Sequence, residues 1–470
     1  MLAFHFRTFI FFWIELFYEC SLYKKNKRSY NRMKGGVLMS FNYAKERSDD
    51  IFCIDVKSFY ASVECVERGL HPLKALLVVM SNADKPGGIV LAASPKAKEV
   101  LGIRNVTRKW EIPYHPDLVI VPPRMSYYIK KNTEINDIFR KYVSDEDLHI
   151  YSIDESFISV RASLKLFKRK NAYELARMIQ YHIFKKTGLY VTIGIGDNML
   201  MAKLALDNGA KYNDDFIAEW RYKDIPNTVW KLEKLTDMWG IGSRTARRLN
   251  SLGIKTVYDL AHANFYQLRD SMGLIGEQLY ANAWGIDRSD IRDSYRPLEK
   301  SYGNSQILKK DYYKKHEIKI VIREMAEQVA TRIRKHHCQT GCVSLSVSYS
   351  KYEEQVGFSR QLKIPSTSNT KKLVDSCFEI FNKYYEDDKA VRRIGITYSK
   401  LSYTSDIQLD LFEDPTEQIT NEKLDLLVDK IREKYGFQSL VHASSLMDGA
   451  TAIDRSSLVG GHAGGMEGIK

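Results

Sequence analysis

The feature that most constrains this chain is a short apolar run ending in an acid, IFCID at 51–55, answered about 100 residues later by an acid pair inside LHIYSIDESFISV at 148–160. The first run is apolar up to its final acid, which suits a strand buried in a sheet. The second alternates apolar and polar residues on both sides of Asp154-Glu155, which predicts a β-hairpin with the two acids at or near its turn. If the two segments are neighbours in one sheet, Asp55, Asp154 and Glu155 meet at one edge.

The segments around them interleave helix and strand, so the core is α+β or α/β. SFYASVECVERGL (58–70) has helical spacing, with Val63, Val66 and Leu70 able to share a face. ALLVVM (75–80) reads as another buried strand, SNADKPGG (81–88) as a turn-rich loop, and IVLAASPKAKEVLGI (89–103) as a strand followed by a short helix. AYELARMIQYHIFKK (172–186) is amphipathic, with Leu175, Ile179 and Ile183 on one stripe. YVTIGIG (190–196) is a strand and NMLMAKLALDNGAK (198–211) a helix. After about 225 short helices with glycine hinges take over: MWGIGSRTARRLNSLGI (238–254) reads as helix, tight GIG turn and helix, and MGLIGEQLYANAWGI (272–286) is a weaker echo. From about 297 a further unit has a long helix near 314–336 and strands near 343–350, 357–363 and 392–402. A polar tail follows from about 404, with QLDLFED, one amphipathic helix (421–434) and a glycine-rich end expected to be disordered.

A chain of 470 residues is too long for one core. Its net charge of +13 suggests a polyanionic partner, nucleic acid being the commonest, although a merely basic surface would read the same. The cysteines at 20, 53, 65, 338, 342 and 377 show no disulfide framework, which fits a reducing cytoplasm. His336, His337, Cys338 and Cys342 lack the second paired-ligand unit of a structural zinc site and read as a helix-to-strand connection. Residues 1–19 are apolar and aromatic, but His5, Arg7 and Glu15 interrupt the run, so no stable membrane association is expected. Residues 1–32 read as a dispensable extension ahead of Met33, with a membrane anchor as the weaker alternative.

Three converging carboxylates with no histidine suit Mg²⁺, a hard cation that prefers oxygen. Two such ions about 3.5–4 Å apart can activate an attacking oxygen and stabilise a leaving pyrophosphate. The plainer reading is that these acids cap surface turns, and spacing alone prefers it. The glycines of GIG let a backbone approach a phosphate closely, with Arg244, Arg247 and Arg248 adding charge on the next helix.

Words larger than single residues decide between these readings. DVKSFYASVE (55–64), YSIDESFISV (151–160) and TIGIGDNMLMAKLALDNGAK (192–211) resemble, in order and spacing, three signatures of the Y-family (translesion) DNA polymerases, most nearly their UmuC- and UvrX-like members. WGIG…LGI is similar to the helix–hairpin–helix of their thumb, and RRIGITYSKL (392–401) to the end of their little finger. QLDLF (408–412) resembles the bacterial sliding-clamp peptide, with Gln408, Leu411 and Phe412 as its anchors.

The resemblance implies an α+β multidomain, right-hand polymerase. After an extension at 1–49, its palm covers 50–212 with fingers inserted at about 61–125, its thumb 213–290 and its α/β little finger 297–403; the tail is 404–470. It implies template-directed DNA synthesis opposite damaged bases, with low fidelity. Asp55, Asp154 and Glu155 would hold two Mg²⁺ ions, helped by the Val56 carbonyl. Ser58, Phe59, Tyr60, Ser94, Lys98 and Lys203 would meet the incoming deoxynucleoside triphosphate, with Tyr60 as the gate against a ribose 2′-hydroxyl. Gly240, Gly242, Arg244, Arg392 and Arg393 would touch primer–template DNA. Lys57 stands where many relatives have Asp or Asn, and SPKAK (94–98) replaces a Tyr-and-Arg version, so the lesion range is open. The competing assignment is a non-catalytic polymerase-like scaffold that recruits repair factors to the clamp. Relatives of that kind lose the metal carboxylates; this chain keeps all three. Cytoplasmic location, with the nucleoid as the place of action, follows from the same resemblance.

Overall fold

The computed structural model describes residues 41–83, 87–293, 297, 299–403, 414–459 and 462–463. The chain divides into two compact units, with the boundary between Tyr295 and Arg296. The first runs β1 (Ile51–Val56), α1 (Phe59–Glu67), β2 (Leu77–Ser81), β3 (Ile89–Ala93), α2 (Pro95–Leu101), β4 (Val119–Val121), α3 (Met125–Phe139), β5 (Leu148–Ile150), β6 (Glu155–Ser159), α4 (Arg161–Leu166), α5 (Ala172–Thr187), β7 (Val191–Gly196), α6 (Met199–Ala205) and β8 (Ile217–Trp220). Short helices follow: α7 (Ser243–Ser251), α8 (Val257–Ala261), α9 (Phe265–Met272) and α10 (Leu274–Ala283).

Its main sheet has the order β5-β6-β1-β7-β8. The apolar IFCID run becomes the central strand because it can be buried on both faces: of β1, only Asp55 is not fully buried. β5 and β6 form the expected hairpin, and β6 and β7 both run antiparallel to β1. β8 pairs parallel to β7, so the sheet continues beyond the 212 at which the sequence reading ends it. Leu175, Ile179 and Ile183 of α5 are buried as their stripe requires. The glycines of TIGIG let α6 lie directly on β7. A Cβ on Gly194 would come within 2.1 Å of the Ala202 carbonyl, and one on Gly196 within 2.3 Å of the Ala202 amide. The 198–211 stretch is α6 plus a π-helical turn, Leu206–Ala210, rather than one α-helix.

A second, three-stranded sheet of order β3-β2-β4 packs Val78, Met80, Val90 and Ala93 against Ala97 and Ile103. The short helices share a core of Leu249, Val257, Leu260, Leu268, Leu279 and Tyr280. Met238 and Trp239, ahead of GIG, lie in no helix, where the sequence pattern predicts one; a 3-10 turn, Leu235–Asp237, precedes them.

The second unit runs β9 (Tyr302–Tyr312), α11 (Lys315–Lys335), β10 (Gln339–Tyr349), β11 (Gly357–Thr367), α12 (Thr370–Tyr384), β12 (Val391–Ser402), α13 (Pro415–Tyr435) and α14 (Ala452–Ser456). Its antiparallel sheet has the order β11-β10-β12-β9. Its core joins Val321, Met325 and Val329 of α11 and Leu373 and Phe381 of α12 to Val343, Leu345, Ile394 and Ile396 of the sheet. Cys338 lies in the α11–β10 connection, its thiol donating to the Ile333 carbonyl. Residues 415–459, read from sequence as tail with one helix, are folded here. Arg334 of α11 is gripped by Asp429 of α13 at 2.6 Å, and Glu324 accepts the amides of Thr451 and Ala452.

Candidate active site

Antiparallel pairing of β1 and β6 sets Asp55 directly opposite Glu155. Asp154 occupies the turn before β6, where its carbonyl accepts the Val56 amide at 2.9 Å and its carboxylate accepts the Ser152 hydroxyl at 2.7 Å. Burial pushes the Asp55 carboxyl up to about 6; Lys211 opposes that shift, and the charges of Asp154 and Glu155 add to it. Asp55 therefore feels the charge of both other acids. Among the described residues, however, no three acidic, histidine or cysteine side chains close on one point as a metal cage. Lysines hold the carboxylates instead. Lys203 lies 2.6 Å from Glu155 and 3.0 Å from Asp207, and Lys211 lies 3.2 Å from Asp55 and 2.6 Å from Asp207. The donor set fits a hard divalent ion: it is all oxygen, and its mutual repulsion is what a cation offsets.

Ser58 turns the chain from β1 into α1 in a left-handed conformation, φ 50° and ψ 51°. No side chain caps that helix, and its first amides have no partner within it. The Lys98 ammonium reaches from α2 to the Ser58 hydroxyl at 2.9 Å. Lys57 lies 4.2 Å from the centre of the Phe216 ring; burial lowers its ammonium, and the neighbouring Lys98 lowers it further. Phe59 is buried in the core, whereas Tyr60 is only part-buried. Tyr60 stacks on Tyr128 with ring centres 4.5 Å apart and planes 17° apart. Burial, then the Asp154 charge, pushes the Tyr60 hydroxyl up to about 12.

Two expectations change here. Ser94 is fully buried, and its hydroxyl donates to the Ala75 carbonyl while accepting the Leu77 and Ala97 amides. Every hydrogen-bonding position of that oxygen is taken, so Ser94 is a helix cap and not a nucleotide contact. Lys203 is buried between two acids, so its position is that of a counter-charge to Glu155. Burial would lower its ammonium, but the neighbouring Cys53, Glu155 and Asp207 outweigh burial and raise it. Sequence reasoning missed Lys211, although it is the last residue of the third motif. It also missed Tyr128, for which no spacing signal exists.

Three comparisons bear on this geometry. Family models match residues 54–207 (impB/mucB/samB family), 222–254 (IMS family HHH motif) and 299–411 (impB/mucB/samB family C-terminal domain). The chain is 42% identical over 422 residues to the putative UV-damage repair protein UvrX of Bacillus subtilis, covering 90% of this chain and 99% of that protein. It is 34% identical over 415 residues to DNA polymerase IV 2 of the same organism, covering 88% and 98%. The chain belongs to the impB/mucB/samB family of Y-family polymerases. A solved Y-family DNA polymerase chimera matches with a TM-score of 0.60 at 22% identity, over 76% of this chain and all of that one. The fold is thus the right-hand fold of that family.

The remaining family positions lie apart from the acids in sequence. Gly240 has φ +90°, which favours glycine, and a Cβ on Gly240 or Gly242 would meet nothing within 4 Å. The GIG backbone is therefore open to a ligand, with the exposed Arg244 as the second residue of α7. Arg392 and Arg393 lie on β12 of the second unit, Arg392 paired with Asp311 at 3.5 Å and Arg393 bonded to Ser305 at 3.2 Å. Gln408, Leu411 and Phe412 lie outside the described residues, as do residues 1–40. No helix among the described residues is long and apolar enough to cross a membrane.

Proposed function

We propose that this chain is a translesion DNA polymerase that adds deoxynucleotides to a primer 3′-end opposite damaged template bases, in the cytoplasm at the nucleoid. The observation that carries the reading is the register of β1 and β6, which sets Asp55 against Glu155 with Asp154 in the adjoining turn. Asp55, Asp154, Glu155 and the Val56 carbonyl are the groups that would hold Mg²⁺. When bound, a pair of such ions supplies activation of the primer hydroxyl and neutralisation of the leaving pyrophosphate. Lys98, beside the uncapped start of α1, and Lys211, beside Asp55, offer positive charge to the triphosphate. Tyr60, held flat against Tyr128, fills the place of a ribose 2′-hydroxyl. The GIG backbone with Arg244 holds the duplex by its phosphates, without reading sequence. The Gln408–Phe412 peptide tethers the enzyme to the sliding clamp.

The test is primer extension on damaged and undamaged templates. Asp154→Ala and Glu155→Ala should each abolish extension while DNA affinity, set by distant phosphate contacts, stays near wild type. Extension surviving in both variants would remove the two-metal assignment. In the same assay with purified clamp added, Leu411→Ala with Phe412→Ala should lose only the clamp's stimulation. Equal stimulation of both proteins would show that the peptide is not the contact.

A further inference from the structure

The 104–114 segment, between α2 and β4, carries charge and exposed aromatic surface that the active site does not use. Trp110 is 66% exposed and Tyr114 93% exposed. The same segment carries Arg104, Arg108 and Lys109 against a single acid, Glu111. Glu111 is occupied: its carboxylate accepts the Arg108 amide at 2.7 Å. The Arg108 guanidinium lies 5.9 Å from the centre of the Trp110 ring and donates to the Gly87 carbonyl.

This patch is on a rigid mount. The Val106 amide donates to Val90 and the Val90 amide to Thr107, both at 2.9 Å, and the Lys109 amide donates to Gly88 at 3.0 Å. These bonds fasten residues 106–109 along β3. Val106 takes φ +70°, a conformation that a β-branched residue adopts only where surroundings enforce it, and its side chain is 67% exposed. The segment thus carries backbone strain and still leaves large apolar groups facing water.

We propose that Trp110 and Tyr114, with Arg104, Arg108 and Lys109, form a stacking platform for the single-stranded template on its way to the active site. Unpaired bases offer ring faces to aromatic side chains and phosphates to flanking cations, a combination that binds single strands without sequence preference. β3 links the two places: its Ile89 end bridges to Arg108, and its Ala93 end leads into α2 and Lys98. That strand is roughly 13 Å long, so the platform would meet template roughly two to four nucleotides ahead of the templating base.

The inference rests on the polymerase reading, but its test does not need catalysis. Full-length wild type and a Trp110→Ala, Tyr114→Ala variant are titrated, by fluorescence anisotropy, with primer–templates bearing either a long 5′ overhang or a single-nucleotide one. Wild type should bind the long overhang about ten-fold tighter, the magnitude of one or two stacked bases. The variant should lose that increment, bind the short-overhang DNA like wild type and insert one nucleotide at the wild-type rate. Both side chains are exposed, so their removal leaves the core intact. 2-Aminopurine placed in the overhang should be quenched by wild type and not by the variant. An overhang increment retained by the variant, or an equal drop in affinity on both DNAs, would overturn the platform. Absence of any primer extension by wild type would instead sink the polymerase reading and leave the binding result standing.

Discussion

Tyr60 owes the plane of its ring to residues that never reach the reacting atoms. Tyr128, fully buried behind it, donates its hydroxyl to Glu64 at 2.8 Å, and Arg124 grips both oxygens of Glu64 at 2.8 and 2.9 Å. Burial would raise the Glu64 carboxyl, but the bonds from Arg124, Tyr128 and Arg68 outweigh it and keep it below its usual range. A charged, fully bonded anchor therefore fixes one ring, and that ring fixes the other. Tyr128→Leu should let Tyr60 tilt and relax selection against ribonucleotides several-fold, measured as the ratio of kcat/KM for the two sugars. Tyr128→Phe, which keeps the stack, should stay close to wild type. Identical ratios in wild type and Tyr128→Leu would mean that Tyr60 needs no support. Sequence made the three acids legible only through their surrounding words, since acids at strand ends also cap turns. It misplaced Ser94 although the sign was present: a Ser followed by Pro marks a helix start, and that geometry consumes the hydroxyl. Tyr128 could not be read, because its partner is 68 residues away along the chain.

Among elements, those with apolar or amphipathic runs were legible and those held by charge or by a single pairing were not. β1, β6, β7 and α5 follow from their patterns. β9 has only Leu308 and Tyr312 buried, and its sequence pattern assigns it no element; its pairing with β12 makes it a strand. For α13 the helix was legible over 421–434, and what holds it was not. Apart from Gln418, none of its side chains is fully buried, and it exposes Leu424, Leu426 and Leu427. It docks through ions instead: Arg334, with only 7% of its side chain exposed, meets Asp425 and Asp429, and Arg432 meets Glu327 at 2.8 Å. Residues of that kind read as a solvated face, which is why the sequence shows the helix and not its docking. Asp425→Ala with Asp429→Ala leaves the Arg334 charge buried and unpaired, a situation that costs about 3–5 kcal/mol. Amide hydrogen exchange should then accelerate throughout α13 while the β10 and β12 core stays protected. Unchanged exchange in α13 would show that something other than this ion cluster holds the helix.

At the scale of the whole molecule, the first unit depends on residues ahead of its first strand. Tyr43 stacks on Tyr222 with ring centres 5.0 Å apart and donates to the Trp284 carbonyl at 3.1 Å. Tyr222 in turn donates to the Arg47 carbonyl at 2.9 Å. Glu46 takes two bonds from Arg288, and Arg47 pairs with Asp49 and Asp290. These residues join the segment just ahead of β1 to the end of the short-helix region, sequence separations above 240 for Tyr43–Trp284, Glu46–Arg288 and Arg47–Asp290. Nothing in YAKERSDD announces this, because a polar segment's long-range partners leave no periodic mark. A chain beginning at Met33 retains every one of these interactions, and we expect it to match full length in stability and extension. A chain beginning at Asp50 lacks the aromatic stack, both tyrosine hydrogen bonds and the ion pairs together, about 2–4 kcal/mol after discounting the exposed charges. Thermal unfolding should fall by about 5–15 °C in a unit of this size. Its primer extension should fall with temperature before that of the Met33 form, because the missing residues are the ones that brace Tyr222 and Trp284, next to the helical hairpins. Equal unfolding temperatures for the two truncations would show that residues 41–49 rest on the fold without holding it.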